Sequence, residues 1–273
     1  MLTLFTTPKS FHCKNANIQH NAIHSWTLLS PSCEVILFGD EMGTPEVAAE
    51  FGVRHVSAVP RRKSGMPLVK GLFEAARDKA SHEFLCYVNA DIILMSDFMQ
   101  AFHQVRCHMN RFLMVGQRYN FSVNDPLSFV DDWEVQLRNS VIRSGIHLGY
   151  GIDYFVFPRN LWGKIPPGLT VGRQYWDNWP LYEARRRKAP VIDVTPVVMA
   201  IHQNHDYSSL LKDSIQASAI QESQNNYNAL GGAQNTYTAL DATHLLTSQG
   251  LKVRCRSCYP ICVCRLDTAV INS

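Results

Sequence analysis

The residues best suited to chemistry in this chain stand at the ends of apolar runs. Asn89-Ala90-Asp91 closes the run from Phe84 to Val88 and sets two oxygen-bearing side chains at alternate positions. A turn leaving a strand can direct both to one Mg²⁺ or Mn²⁺ that bridges phosphates, and that cation would neutralise a departing diphosphate. The tripeptide alone fits an Asx turn and helix cap equally well. Its place after a continuously apolar run, the mark of a strand buried on both faces, favours the metal. Thr6-Thr7-Pro8-Lys9 follows LTLF at 2–5, Asp40-Glu41 follows EVILFG at 34–39, and His202 follows PVIDVTPVVMAI at 190–201. Ligands of open α/β sheets bind beyond the carboxyl ends of the strands, so these residues would line one site.

The elements that must position them alternate short apolar runs with amphipathic stretches, as when helices cover both faces of a mostly parallel sheet. Ile18, Ala22, Ile23 and Trp26 recur at helical spacing, as do Leu68, Leu72, Phe73 and Ala76 within a helix expected over 68–80. Further strands are expected at 53–59, 112–115 and 152–157, with 190–201 as one final strand. Ser96 is placed as the N-cap of another helix, with Asp97 in its first turn. Asp177-Asn178-Trp179-Pro180 opens a helix in which Asn178 would help cap and Pro180 is tolerated early. Residues 221–237 show little apolar periodicity and are rich in Gln, Asn and Gly, which predicts a mobile loop.

With 273 residues, 46% hydrophobic and 18% charged, the chain can bury a substantial core and is neither disordered nor fibrous. A net charge of +3 with no dense basic stripe argues against generic nucleic-acid binding. Arg61-Arg62-Lys63 could meet phosphates or form a solvated loop. No apolar run approaches the roughly 20 residues needed to cross a bilayer, and no export signal is recognisable. Scattered Cys13, Cys33, Cys86 and Cys107 suit reduced thiols, so a cytoplasmic protein is expected. Cys255, Cys258, Cys262 and Cys264 could bind zinc, but their spacing departs from paired knuckles and equally fits an apolar, cysteine-rich tail.

In the order of these motifs, residues 2–207 resemble the nucleotide-diphospho-sugar transferase superfamily, glycosyltransferases of the GT-A fold. The resemblance implies a three-layer α/β/α, Rossmann-like domain with a mostly parallel central sheet over 1–210. Residues 211–273 would form an extension with a mobile loop and Cys-rich tail. The family carries an Asp-x-Asp metal motif after its central strand: Asp91 matches the second acid, and Asn89 replaces the first with a weaker or water-mediated contact. Nucleobase and ribose binding maps onto Thr6, Thr7, Pro8 and Asp40, and contact with the diphosphate or base onto Arg61, Arg62, Lys63 and Gly65.

The family's acid pair at a helix start maps onto Trp176-Asp177. Asp177 is then the base for the acceptor hydroxyl, kept ionised by the helix N-terminus, and the aromatics beside it could stack on a sugar. A histidine after the last strand, His202 with His205 beside it, would complete the metal site, and imidazole suits Mn²⁺ better than Mg²⁺. Gly149-Tyr150-Gly151-Ile152-Asp153 resembles the acceptor side, with Asp153 binding hydroxyls. Arg118 could pair a phosphate or an internal carboxylate.

The activity so implied is metal-dependent transfer from a nucleotide-diphosphate sugar, uridine-linked, to an acceptor hydroxyl on a glycan, lipid or small molecule, with inversion. A retaining enzyme of the same fold and a non-catalytic nucleotide- or zinc-binding protein are the alternatives. A sugar-phosphate nucleotidyltransferase would need a Gly-rich loop after the first strand, and TTPKSFHCK has no glycine.

Overall fold

The computed structural model describes residues 1–123, 125–205, 213–254 and 263–265. A parallel block comes first: β1 (Leu2–Thr6) lies between β2 (Glu34–Phe38) and β4 (Phe84–Val88), and β3 (Arg54–Val56) forms the edge. Leu4 pairs with Val35 on one side and Cys86 on the other. β1, β2 and β4 are buried along nearly their whole length, which is why they read as unbroken apolar runs.

Alternation then divides the apolar residues between two faces. Leu4, Val35, Leu37, Cys86 and Val88 pack beneath α1 (Lys14–Thr27) and α4 (Ser96–His108). Phe5, Ile36, Phe38, Leu85 and Tyr87 pack beneath α3 (Val69–Lys79) and α6 (Asn178–Arg186). The result is the expected three-layer α/β/α arrangement. A short helix, α2 (Thr44–Glu50), covers the edge near β3.

Beyond β4 the sheet becomes mixed. β7 (Ile146–Pro158) runs antiparallel to β4 and to β6 (Leu113–Phe121), with irregular register around Gln117. Between β6 and β7 lies α5 (Trp133–Ser144). The strand expected over 190–201 is two. β8 (Val191–Asp193) pairs with the first half of β6, and β9 (Ala200–Gln203) pairs with its second half and with β5 (Ile92–Ile93). Asp193 Oδ1 accepts the Thr195 N–H at 2.9 Å, an Asx turn, and Pro196 brings no N–H to a ladder, so the chain turns before resuming.

Two cap assignments also change. Met95, not Ser96, precedes α4, and Ser96 Oγ donates to Glu134 Oε2 at 2.6 Å. Asn178 is the first residue of α6 and its Nδ2 donates to the Tyr237 carbonyl at 2.8 Å instead of capping.

The sheet continues after 210. β10 (His244–Thr247) pairs parallel with β8, β11 (Gly250–Arg254) follows antiparallel, and β12 (Val263–Arg265) adds an outer strand. Most of 221–237 is helical, within α7 (Asp213–Leu230). Its buried residues include Glu222 and Asn226, polar positions that carry no apolar period and so hid the helix from the sequence. Side chains of the Cys255, Cys258, Cys262 and Cys264 group lie outside the described residues.

Candidate active site

At the carboxyl end of β4 the chain turns through Asn89-Ala90-Asp91, and β5 brings Asp91 beside β9 through the Ile92–His202 pairing. His205 Nε2 lies 3.2 Å and His202 Nε2 3.6 Å from Asp91 Oδ2. Ligand atoms of Asp91, His202 and His205 fall within 4.8 Å of one another, the one such cluster of three or more among the described residues. Burial opposes the charge of Asp91, but the two imidazoles and Lys9 outweigh it and hold the carboxyl well below the usual carboxylate range. Its other oxygen, Oδ1, is buried without a hydrogen-bond partner. A buried, ionised oxygen left unpaired is costly unless something cationic meets it. One carboxylate with two imidazoles is a donor set that fits Mn²⁺ and tolerates Mg²⁺.

Asn89 does something else. Its Oδ1 accepts the Tyr87 hydroxyl at 2.8 Å, and its Nδ2 donates to Asp153 Oδ1 at 2.7 Å. Both ends of the amide therefore have partners inside the protein, and Asp91 is the residue of this motif whose carboxylate faces His202 and His205. Burial lifts the Tyr87 phenol well above its ordinary value, and Asp91, Asp153 and Asp177 add to the effect, so the group remains a neutral donor. Asp153, on β7, also receives Arg118 Nη1 at 2.9 and 2.8 Å. Arg118 thus pairs an internal carboxylate, one of the two partners expected for it. Gly151 permits this: at φ 89°, a Cβ there would lie 3.0 Å from Arg118 Nε. Burial raises Asp153 despite Arg118, with the Asp91 charge adding to the rise.

Asp177 immediately precedes α6. Burial pushes its carboxyl up to about 6, and Asp153 pushes the same way; the amides of Asp177 and Asn178 and the Arg118 charge oppose them. The helix start therefore does not win, and the group titrates nearer neutrality than expected. Trp176 is only 5% exposed and meets Tyr87 edge-on, with ring centroids 4.9 Å apart. It belongs to the core rather than to a sugar-stacking surface.

On the other flank, Thr6 Oγ1, Thr7 Oγ1 and Glu41 Oε2 are buried without hydrogen-bond partners at the ends of β1 and β2, the condition a polar ligand relieves. Pro8 is buried beside them. Asp40 is exposed, and Arg61 Nη2 lies 3.6 Å from its Oδ1 and 2.7 Å from Glu41 Oε1. Gly65, at φ 87°, closes the turn, its carbonyl accepting Arg61 Nη1 at 2.8 Å. Arg62 faces away, donating to Thr170 Oγ1 at 2.6 Å and to the Gly168 carbonyl. The site thus gathers Asp91, Asp153, Asp177, His202 and His205, with Thr6, Thr7, Asp40 and Arg61 along one rim and Arg62 outside it. Tyr87 was not among the expected site residues; a phenol on a strand otherwise apolar to its end was the available signal.

Sheet order and the two helical layers define the GT-A class of fold. Among solved structures, the chain is similar to glucosyl-3-phosphoglycerate synthase from Mycobacterium tuberculosis. The complex of that protein with Mn²⁺, UDP-glucose and phosphoglyceric acid gives a TM-score of 0.52 at 15% identity, covering 85% of this chain and 80% of that one. Its complex with Mn²⁺, UDP and phosphoglyceric acid gives 0.50 at 15% identity, over 85% and 79%. No protein-family model matches the sequence, and no curated protein matches it in sequence. Among the described residues, no helix is long and apolar enough to cross a membrane.

Proposed function

We propose that the protein is a metal-dependent glycosyltransferase that moves a sugar from a uridine-linked nucleotide-diphosphate sugar to an acceptor hydroxyl. The observation that carries this reading is the Asp91–His202–His205 cluster, with its unpaired Asp91 Oδ1, beyond the central strand of a GT-A fold. The similar structures hold Mn²⁺ with UDP or UDP-glucose. Asp91, His202 and His205 would hold Mn²⁺ or Mg²⁺, which supplies charge neutralisation to the departing diphosphate. Thr6, Thr7, Pro8 and Asp40 would seat the nucleoside, with Arg61 and Gly65 beside it.

Asp177 accepts the proton of the acceptor hydroxyl as its oxygen attacks the anomeric carbon. The bond to the diphosphate oxygen breaks, and its electron pair leaves with that oxygen. A carboxylate titrating near 6 suits this work, being ionised at neutral pH yet more basic than an ordinary aspartate. Attack opposite the leaving group inverts the centre. Asp153, fixed by Asn89 and Arg118, helps set the Asp177 proton affinity.

The test is a thermal-shift panel of nucleotide-sugars with and without Mn²⁺, followed by assay of UDP release. Mn²⁺-dependent stabilisation by UDP-sugars and turnover abolished by Asp91→Ala are expected. Turnover that survives Asp91→Ala would overturn the assignment, and a retained anomeric configuration would remove Asp177 from the role of base.

A further inference from the structure

Helix α7 packs against the domain partly through polar residues. Glu222, Asn226 and Leu230 are buried at 5, 0 and 2% exposure, spaced one helical turn apart. A buried acid and amide are costly unless satisfied, and both find partners in one segment. Asn226 Oδ1 accepts the Thr170 N–H at 2.8 Å, while its Nδ2 donates to the carbonyls of Thr170 at 3.0 Å and Gln174 at 2.9 Å. Glu222 Oε2 accepts Arg173 Nε at 2.7 Å, and Ser223 Oγ accepts the Gln174 N–H at 3.3 Å. Tyr175, held at φ 74°, sets its ring 5.1 Å from that of Tyr227. Every one of these partners lies just before Asp177. Glu222 also accepts the Ser64 hydroxyl, in the turn whose Arg61 meets Asp40 and Glu41.

We propose that Glu222 and Asn226 are positioning residues: they clamp segment 168–176 from its outer side, so that Asp177 is held at a fixed place relative to the turn at 61–65. The inference rests on the reading of Asp177 as the base. Apolar packing is non-directional and would let the segment slide, whereas hydrogen bonds to both edges of Thr170 fix its register. A displacement of about 1 Å at a proton acceptor costs on the order of 100-fold in rate.

The test measures Mn²⁺-dependent hydrolysis of UDP-glucose, with water as acceptor, beside the affinity of the same proteins for Mn²⁺ and UDP. Asn226→Asp keeps the size and the acceptor for Thr170 N–H but faces the carbonyls of Thr170 and Gln174 with a carboxylate. It and Asn226→Ala are expected to lower kcat by about tenfold or more, with UDP affinity within about twofold. Glu222→Ala removes the acceptors of both Arg173 Nε and the Ser64 hydroxyl and is expected to lower kcat likewise. Ser223→Ala, at the half-exposed edge, is the safeguard should the buried changes prevent folding, with kcat expected to fall about two- to fivefold.

The clamp is overturned if the folded variants keep full kcat, or if UDP affinity falls in step with kcat, which would mean a general loss of structure. Asp177→Asn separates the two readings. If it leaves kcat intact, the base assignment fails; if it abolishes kcat while the α7 variants do not, only the clamp fails.

Discussion

Replacing Asp177 by Asn should stabilise the protein while disabling it. Folding lifts this carboxyl from its ordinary 3.8 to about 6, and each unit corresponds to about 1.36 kcal/mol. Between those values the native state holds a proton that the unfolded state has released, so stability falls as pH rises and levels off above the folded pKa. The cost is nil well below 3.8, about 1.6 kcal/mol at pH 5 and about 3 kcal/mol at pH 8, as an upper bound because part of the side chain meets solvent. Asparagine keeps the shape and removes the titration. Urea unfolding of both proteins in EDTA should therefore show the variant more stable, with a gap that widens by about 1.4 kcal/mol between pH 5 and pH 8. UDP release by the variant should meanwhile collapse. A gap that stays constant or narrows over that interval refutes the assignment of burial and Asp153 repulsion to this carboxyl.

Asp91→Asn should weaken Mn²⁺ binding, read by the electron paramagnetic signal of the free ion, by at least about 100-fold; an unchanged affinity would place the cation elsewhere. Asn89→Asp, although it recreates an Asp-x-Asp motif, sets a second carboxylate against Asp153 Oδ1, which Asn89 Nδ2 now meets at 2.7 Å. It should cost about 1–3 kcal/mol, seen as a lower Tm, and a neutral outcome would remove that amide from the network. Gly116→Ala drives a Cβ to within 2.0 Å of the Tyr154 hydroxyl, costing about 1–3 kcal/mol in urea unfolding. Tyr154→Phe should recover much of that loss, since the hydroxyl is buried without a partner, and absence of recovery would place the strain elsewhere.

Much of the parallel half was legible because strands buried on both faces are written as unbroken apolar runs. LTLF, EVILF and FLCYV appear as β1, β2 and β4 with little change. The split of 190–201 was harder, since Thr195-Pro196 interrupts a stretch that is apolar on either side. Helix α7 was invisible to periodicity because its inward positions include an acid and an amide. Asp91, His202 and His205 were nameable one by one, as polar residues after strands.

The chain by itself determined which residue types stand at the strand ends, because burial and chain direction are written in local pattern. Tertiary structure alone decided what each of them meets. The antiparallel return of β7 brings Asp153 to Asn89, which turns a presumed metal ligand into a hydrogen-bond link. The same enclosure lets burial and Asp153 overcome the helix start at Asp177. Both depend on the distance between groups far apart in sequence, and on the solvent excluded between them, which no local pattern encodes.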